Sequence, residues 1–229
     1  MNMKVIKASL IDIDGTLLDT EVFQYLTWRD VLRQTAGYDL SEKEYIKSYC
    51  GNSTKRIAER IQIQFDITLT PEEIFDMRER IVLEKVIRGE IKQMPYAAEV
   101  LEHFARKLPI ALVTGASFRE TEHKLTKSHL DAIVISYDIP IISGDIVTRG
   151  KPHPDSYIVA AKTLNVEPTD CIAFEDTLAG IESAESAGVT CLAVPNRWTR
   201  NKMPERKLYA NLKEAQQAVE KNYLLQPNR

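Results

Sequence analysis

Short apolar runs alternating with amphipathic stretches set the pattern of this chain. Five runs read as buried strands, at about 4–12, 109–114, 132–137, 170–175 and 189–194. Pro109-Ile-Ala-Leu-Val-Thr114, Ala132-Ile-Val-Ile-Ser136 and Cys171-Ile-Ala-Phe174 illustrate them: brief, rich in branched side chains, and cut off by charges or turn formers. Helical periodicity separates most of the runs, as in residues 156–164 and 178–187. Strand and helix in repeated alternation predict an α/β fold, a parallel sheet with helices on both faces.

Residues 21–91 break this rhythm, with helix patterns and no convincing strand. Ser41-Glu42-Lys43-Glu44 has the form of a capping box, and Thr70-Pro71-Glu72-Glu73 adds proline at the first helical position. The pattern predicts an inserted α-helical cap domain at 21–91 within a core made of 1–20 and 92–229. Its junctions are expected near Asp19-Thr20-Glu21 and Lys92-Gln93-Met94-Pro95. After Leu208 the chain predicts an outer helix and a frayed end at 226–229.

Chemistry concentrates where the apolar runs stop. The first run ends in Asp12-Ile13-Asp14-Gly15-Thr16, two carboxylates at the strand end where open α/β sheets keep their crevice. Like charges placed so closely are costly unless a cation or a reaction uses them. A calcium loop does not fit, because its fifth, sixth and twelfth positions counted from Asp12 would be Thr16, Leu17 and Phe23. The second run ends in Thr114-Gly115-Ala116-Ser117, a turn able to hold an anion or simply to cap the next helix through Ser117. Lys151 stands between glycine and proline in Gly150-Lys151-Pro152-His153-Pro154, a solvated lysine or a restrained one. Phe174-Glu175-Asp176-Thr177 adds two acids, with helix capping by Asp176 as the plain alternative. Together these ends offer carboxylates, a hydroxyl and a lysine, the groups that phosphoryl transfer uses.

In this order the four motifs, Asp-x-Asp-Gly-Thr, Thr-Gly, Gly-Lys-Pro-x-Pro-Asp and Glu-Asp, resemble the haloacid dehalogenase superfamily, from about Leu10 to Pro195. The helical insertion looks like the small (C1-type) cap of its β-phosphoglucomutase-like phosphatases. The resemblance implies a Rossmann-like core and Mg²⁺-dependent hydrolysis of a small phosphate monoester. It implies Asp12 as nucleophile and Asp14 as general acid/base. Thr114, the Gly115 N–H and Lys151 would hold the phosphoryl group. Asp12, Asp14 through its carbonyl, Glu175 and Asp176 would hold the metal.

Departures from the family's patterns sort its branches. Asp14 and the Glu175-Asp176 pair argue against metal-free dehalogenation, and none of Lys43, Lys47 and Lys55 matches a Schiff-base lysine for phosphonate cleavage. Mutases of the group carry histidine ten residues after the acid/base aspartate; here Gln24 stands there. Cys50 and Thr54 replace the lysine and arginine that flank the mutase cap glycine, with Lys55 and Arg56 out of register. Hydrolysis is the expectation, mutase chemistry or a catalytically silent binding protein the alternatives. Specificity is expected from Gln24, Trp28 and the Gly51-Asn52-Ser53 loop, although Trp28 can equally pack the cap and Asn52 can equally serve a helix start.

Composition narrows the partners. A formal net charge of −3 gives no electrostatic footprint for nucleic acid, and Arg197–Lys202 is read as a solvated loop. Three cysteines leave one unpaired, which suits a reducing compartment, and the first apolar run reaches Asp12 too soon for a membrane span. The histidines lack metal-ligand spacing. A cytoplasmic monomer acting on a small phosphorylated metabolite is expected.

Overall fold

The computed structural model describes residues 3–52, 54–89 and 91–226. The chain begins with strands β1 (Lys4–Ile6) and β2 (Ala8–Asp12) and then passes through helices α1 (Glu21–Ala36), α2 (Glu42–Ser48), α3 (Thr54–Gln64), α4 (Pro71–Arg88) and α5 (Ala97–Ala105). There follow β3 (Ile110–Val113), α6 (Phe118–Ser128), α7 (Asp131–Ser136), β4 (Ile141–Ile142) and α8 (Asp155–Thr163). The remainder is β5 (Cys171–Glu175), α9 (Leu178–Ser186), β6 (Thr190–Ala193), α10 (Leu212–Asn222) and β7 (Tyr223–Leu225).

Five strands make one sheet in the order β4-β3-β2-β5-β6, every neighbouring pair parallel. Alternate residues serve opposite faces, so the strands are apolar throughout. Leu10, Ala111, Val113 and Ala173 pack with Tyr157, Ala160 and Ala184 of α8 and α9. Ile11, Leu112 and Phe174 pack on the other side with Leu101 and Phe104 of α5 and Val219 of α10. Each fully buried Val, Leu, Ile or Phe side chain among them contributes roughly 1.5–3 kcal/mol.

Three expectations need correction. The run at 132–137 is not a strand; Asp131–Ser136 is helix α7, and the sheet edge is the two-residue β4. The run has only one face to bury: Ile133 and Val134 pack on the core, while Ile135 is 76% exposed. A short apolar run does not by itself distinguish helix from strand. The tail forms α10 as expected, but β7 then pairs with β1, and Gln226 N–H donates to the Ile6 carbonyl at 2.9 Å instead of fraying. Residues 227–229 lie outside the described residues. Finally, the stretch 197–202 is not simply solvated. Arg197 and Arg200 are exposed, but Trp198 is 2% exposed and its ring joins the helical insertion, 6.2 Å from that of Tyr45. The surrounding charges conceal a buried aromatic.

Helices α1–α4 stand between β2 and α5 with a cluster of their own, built around Trp28, Leu32, Tyr45 and Ile61. Thr70 and Glu73 close a full capping box on α4. Ser41 makes only its half, because Glu44 accepts from the Tyr38 hydroxyl at 2.7 Å. The chain leaves and returns along paired backbone: Asp19 N–H donates to the Lys92 carbonyl and Met94 N–H to that of Leu17. The later part of α4 leans on the sheet side, where Val82 and Val86 enter the core cluster. Among the described residues no helix is long and apolar enough to cross a membrane.

Candidate active site

Strand register gathers the motif residues. Asp12 pairs in register with Val113, which puts Thr114 next to it; Ile11 pairs with Phe174, which puts Glu175 and Asp176 on its other side. All these residues therefore leave the sheet at one edge, below the helical insertion. Between them is a cleft of about 740 Å³ whose walls include Asp12, Asp14, Lys151, Asp176, Gln24 and Arg78.

Asp12 is 4% exposed, and its Oδ1 accepts from Lys151 Nζ at 2.6 Å. The same ammonium donates to Glu175 Oε1 at 2.5 Å, where the Tyr157 hydroxyl also donates at 2.6 Å. Burial, and then the charge of Glu175, push Asp12 up to about 8 against the pull of Lys151. Burial would lower Lys151, but the charges of Asp12 and Glu175 outweigh it and hold the ammonium on. Restrained in this way, Lys151 is not the solvated lysine of the plain reading.

Asp176 is fully buried and raised well above the usual carboxylate range by burial and by Asp12 and Glu175. It does not cap α9; Thr177 does, accepting from Gly180 N–H at 3.1 Å. Asp176 Oδ2 accepts instead from Asn196 Nδ2 at 2.8 Å. Oxygens of Asp12, Glu175 and Asp176 lie within 4.8 Å of one another, and Asp12 Oδ2 and Asp176 Oδ1 are buried with no hydrogen-bond partner. Buried carboxylate oxygens without donors are expensive, and an all-oxygen cluster suits a hard divalent cation. These residues thus fit a metal.

Asp14 is held by three donors: Lys124 Nζ at 2.5 Å, Thr20 Oγ1 at 2.9 Å and Thr114 Oγ1 at 2.8 Å. Burial acts to raise its pKa, but Lys124 and the hydroxyls outweigh it and keep Asp14 below the usual range. The Thr114 hydroxyl therefore spends its proton on Asp14, while Gly115 faces open space. Ser117 caps α6, accepting from Glu120 N–H at 3.3 Å.

The specificity candidates divide. Gln24 Oε1 accepts from Arg78. Trp28 is 1% exposed within the insertion's cluster, which makes it chiefly a packing residue that shows an edge to the cleft. Asn52 reaches the cleft wall, and its amide donates to the Tyr49 carbonyl at 3.0 Å. Ser53 lies outside the described residues. Lys124, Glu120, Arg78, Tyr157 and Asn196 are site residues that the sequence pattern does not reveal. Glu120 and Lys124 look like an ordinary surface pair one helical turn apart, and only the tertiary fold buries them.

The geometry agrees with comparisons to known proteins. The model of the haloacid dehalogenase-like hydrolases matches residues 6–188. The phosphorylated carbohydrates phosphatase of Thermotoga maritima is 29% identical over 191 residues, covering 80% of this chain and 82% of that protein. The fructose-1-phosphate phosphatase YqaB of Escherichia coli is 29% identical, covering 81% and 94%. Among solved structures, CbbY from Rhodobacter sphaeroides in complex with phosphate superposes with a TM-score of 0.78 at 26% identity, covering 91% and 95%. The motif order, the sheet edge that gathers it and the length of the match agree, and the chain belongs to the haloacid dehalogenase-like hydrolases.

Proposed function

We propose that this chain is a Mg²⁺-dependent phosphatase that hydrolyses a small phosphate monoester, a sugar phosphate or similar metabolite, through an aspartyl-phosphate on Asp12. The observation that carries the reading is the Asp12–Lys151–Glu175–Asp176 cluster, buried at the foot of a cleft of small-molecule size. The phosphatase names of the relatives support it. Asp12, Glu175, Asp176 and the Asp14 carbonyl would hold the metal, which when bound offsets the charge of the phosphoryl oxygens.

An Asp12 carboxylate oxygen attacks phosphorus as the ester P–O bond breaks, and the departing alcohol takes a proton from Asp14. Water then attacks the phosphorus of the aspartyl-phosphate, Asp14 takes its proton, and phosphate and Asp12 separate. Lys151 neutralises Asp12 and the incoming phosphoryl group, which otherwise repel each other. The donors around Asp14 suit the second step, in which it acts as a base. The insertion, residues 21–91, serves as a cap that admits the ester and excludes bulk water. Gln24 is engaged by Arg78, with no histidine in its place, so nothing here favours the mutase alternative.

The test is phosphate release from a panel of small esters, with Mg²⁺ or EDTA, by the native enzyme and Asp12→Asn. Mg²⁺-dependent release that the variant lacks supports the reading. Release by Asp12→Asn at the native rate, or none from any ester by the native enzyme, defeats it.

A further inference from the structure

Three buried charged groups run from the helical insertion to Asp14, and the reaction proposed above uses none of them. Arg78, on α4, is 2% exposed; Glu120 and Lys124, one turn apart on α6, are 1% and 0%. Arg78 Nη1 donates to Glu120 Oε2 at 2.9 Å. The other Glu120 oxygen is ion-paired with the Lys124 ammonium, whose nitrogen lies 2.5 Å from Asp14 Oδ1. Arg78 also binds Gln24 and Glu79, both on the cleft wall. Charges placed this deeply add little net stability over apolar packing, so stability alone does not account for the chain of pairs.

We propose that Glu120 is a positioning residue, which ties docking of the helical insertion to the orientation of the Asp14 carboxylate by sharing its two oxygens between Arg78 and Lys124. The inference rests on the phosphatase reading, which gives Asp14 its role. With the insertion docked, Arg78 takes one oxygen of Glu120, and Lys124 divides its attraction between the other oxygen and Asp14. With Arg78 withdrawn, Glu120 has Lys124 alone and draws it away from Asp14. Asp14 then keeps only the Thr20 and Thr114 hydroxyls. A base displaced by an ångström can lose about 10²-fold in rate. The acid/base group is thereby held in working position only while the insertion covers the cleft.

Steady-state kinetics on p-nitrophenyl phosphate separate this from a simple latch. Its leaving group departs without an acid, so kcat/KM reports transfer to Asp12 and kcat reports the water step that needs Asp14, once that step is slowest. Arg78→Gln and Lys124→Met are each expected to lower kcat about 10-fold or more, with KM falling in parallel and kcat/KM within about 3-fold of native, whereas Glu120→Gln, which no longer competes with Asp14 for Lys124, is expected to lose less. Arg78 is the decisive case, because it makes no hydrogen bond to Asp14. A raised KM with unchanged kcat for Arg78→Gln overturns the proposal and leaves only a latch. The double variant Arg78→Gln/Glu120→Gln keeps the charge balance if the single Glu120 variant folds poorly. It is expected to lose no more kcat than the larger single loss, whereas multiplied losses overturn the coupling. A native enzyme inactive on this ester and on the wider panel removes the phosphatase reading and this inference with it; an active enzyme whose variants behave as latches removes this inference alone.

Discussion

Lys151 Nζ stands 2.6 Å from Asp12 Oδ1, so the residue read as nucleophile already carries its counter-charge before any substrate arrives. Glu175 fixes that ammonium from behind at 2.5 Å and is itself fixed by the Tyr157 hydroxyl. Lys151→Met should retain the fold and lose about 10²–10³-fold in kcat/KM on any phosphate ester, the range for removing one preorganised donor. Lys151→Arg should recover little of this, because a planar guanidinium does not reproduce the compact two-way contact. Equal activity of native and Lys151→Met enzymes would place the chemistry elsewhere.

Metal affinity should depend on pH with a definite sign. Burial and Glu175 raise Asp12 to about 8, and a metal needs its carboxylate, so below that value a proton competes with the cation. Stabilisation by Mg²⁺ should therefore grow from pH 6 to pH 8, affinity rising by up to about 10-fold per pH unit for one displaced proton. Calorimetric titration at pH 6, 7 and 8 measures this directly, including the proton released. Affinity that is flat across the interval would show that Asp12 is already ionised at pH 6.

Much of this site is legible in the sequence because strand ends announce themselves. An apolar run stopped by acid or by glycine marks the carboxyl edge of a sheet, and three such stops point to Asp12, Thr114, Glu175 and their neighbours from the sequence alone. Lys151 is legible only as a lysine between glycine and proline in a proline-rich loop. The groups that hold Asp14 are not legible, because Lys124 and Glu120 have the local pattern of a solvated helix face and become buried only when α4 covers them. Trp198 is hidden in the same way: its neighbours are charged and exposed, while its ring belongs to a cluster some 150 residues away in sequence. The strand expected at 132–137 fails for the opposite reason, an apolar run whose partners bury one face only.

Gly15 should tolerate no side chain. Its φ of +87° is a left-handed conformation, and an added Cβ would stand 2.3 Å from Asp176 Oδ2. Gly15→Ala should cost about 1–2 kcal/mol in backbone strain and also push Asp176 out of the acidic cluster. Mg²⁺ should then no longer raise the melting temperature, as measured by thermal unfolding with and without the ion. A variant with native Mg²⁺ stabilisation would show that Asp176 is not a ligand.

Trp198 offers the sharpest test of how the helical insertion is held. The residue belongs to the core segment after β6, but its ring lies among Tyr25 and Tyr45 of the insertion. Asn196, two residues earlier, accepts from the Trp198 N–H and donates to Asp176. One short segment therefore anchors the insertion at one end and steadies the acidic cluster at the other. Truncating a buried tryptophan costs about 3–5 kcal/mol. Because the cavity would open inside the insertion's cluster, Trp198→Ala should loosen α1 and α2 more than the sheet. Hydrogen exchange should accelerate across Glu21–Ala36 and Glu42–Ser48 while β2, β3 and β5 stay protected. Trp198→Phe, which keeps an aromatic ring in the cluster, should recover most of the protection. Uniform acceleration through the sheet would instead mean that the insertion and the core unfold as one unit, and that Trp198 supports the whole chain rather than the placement of its helices over the cleft.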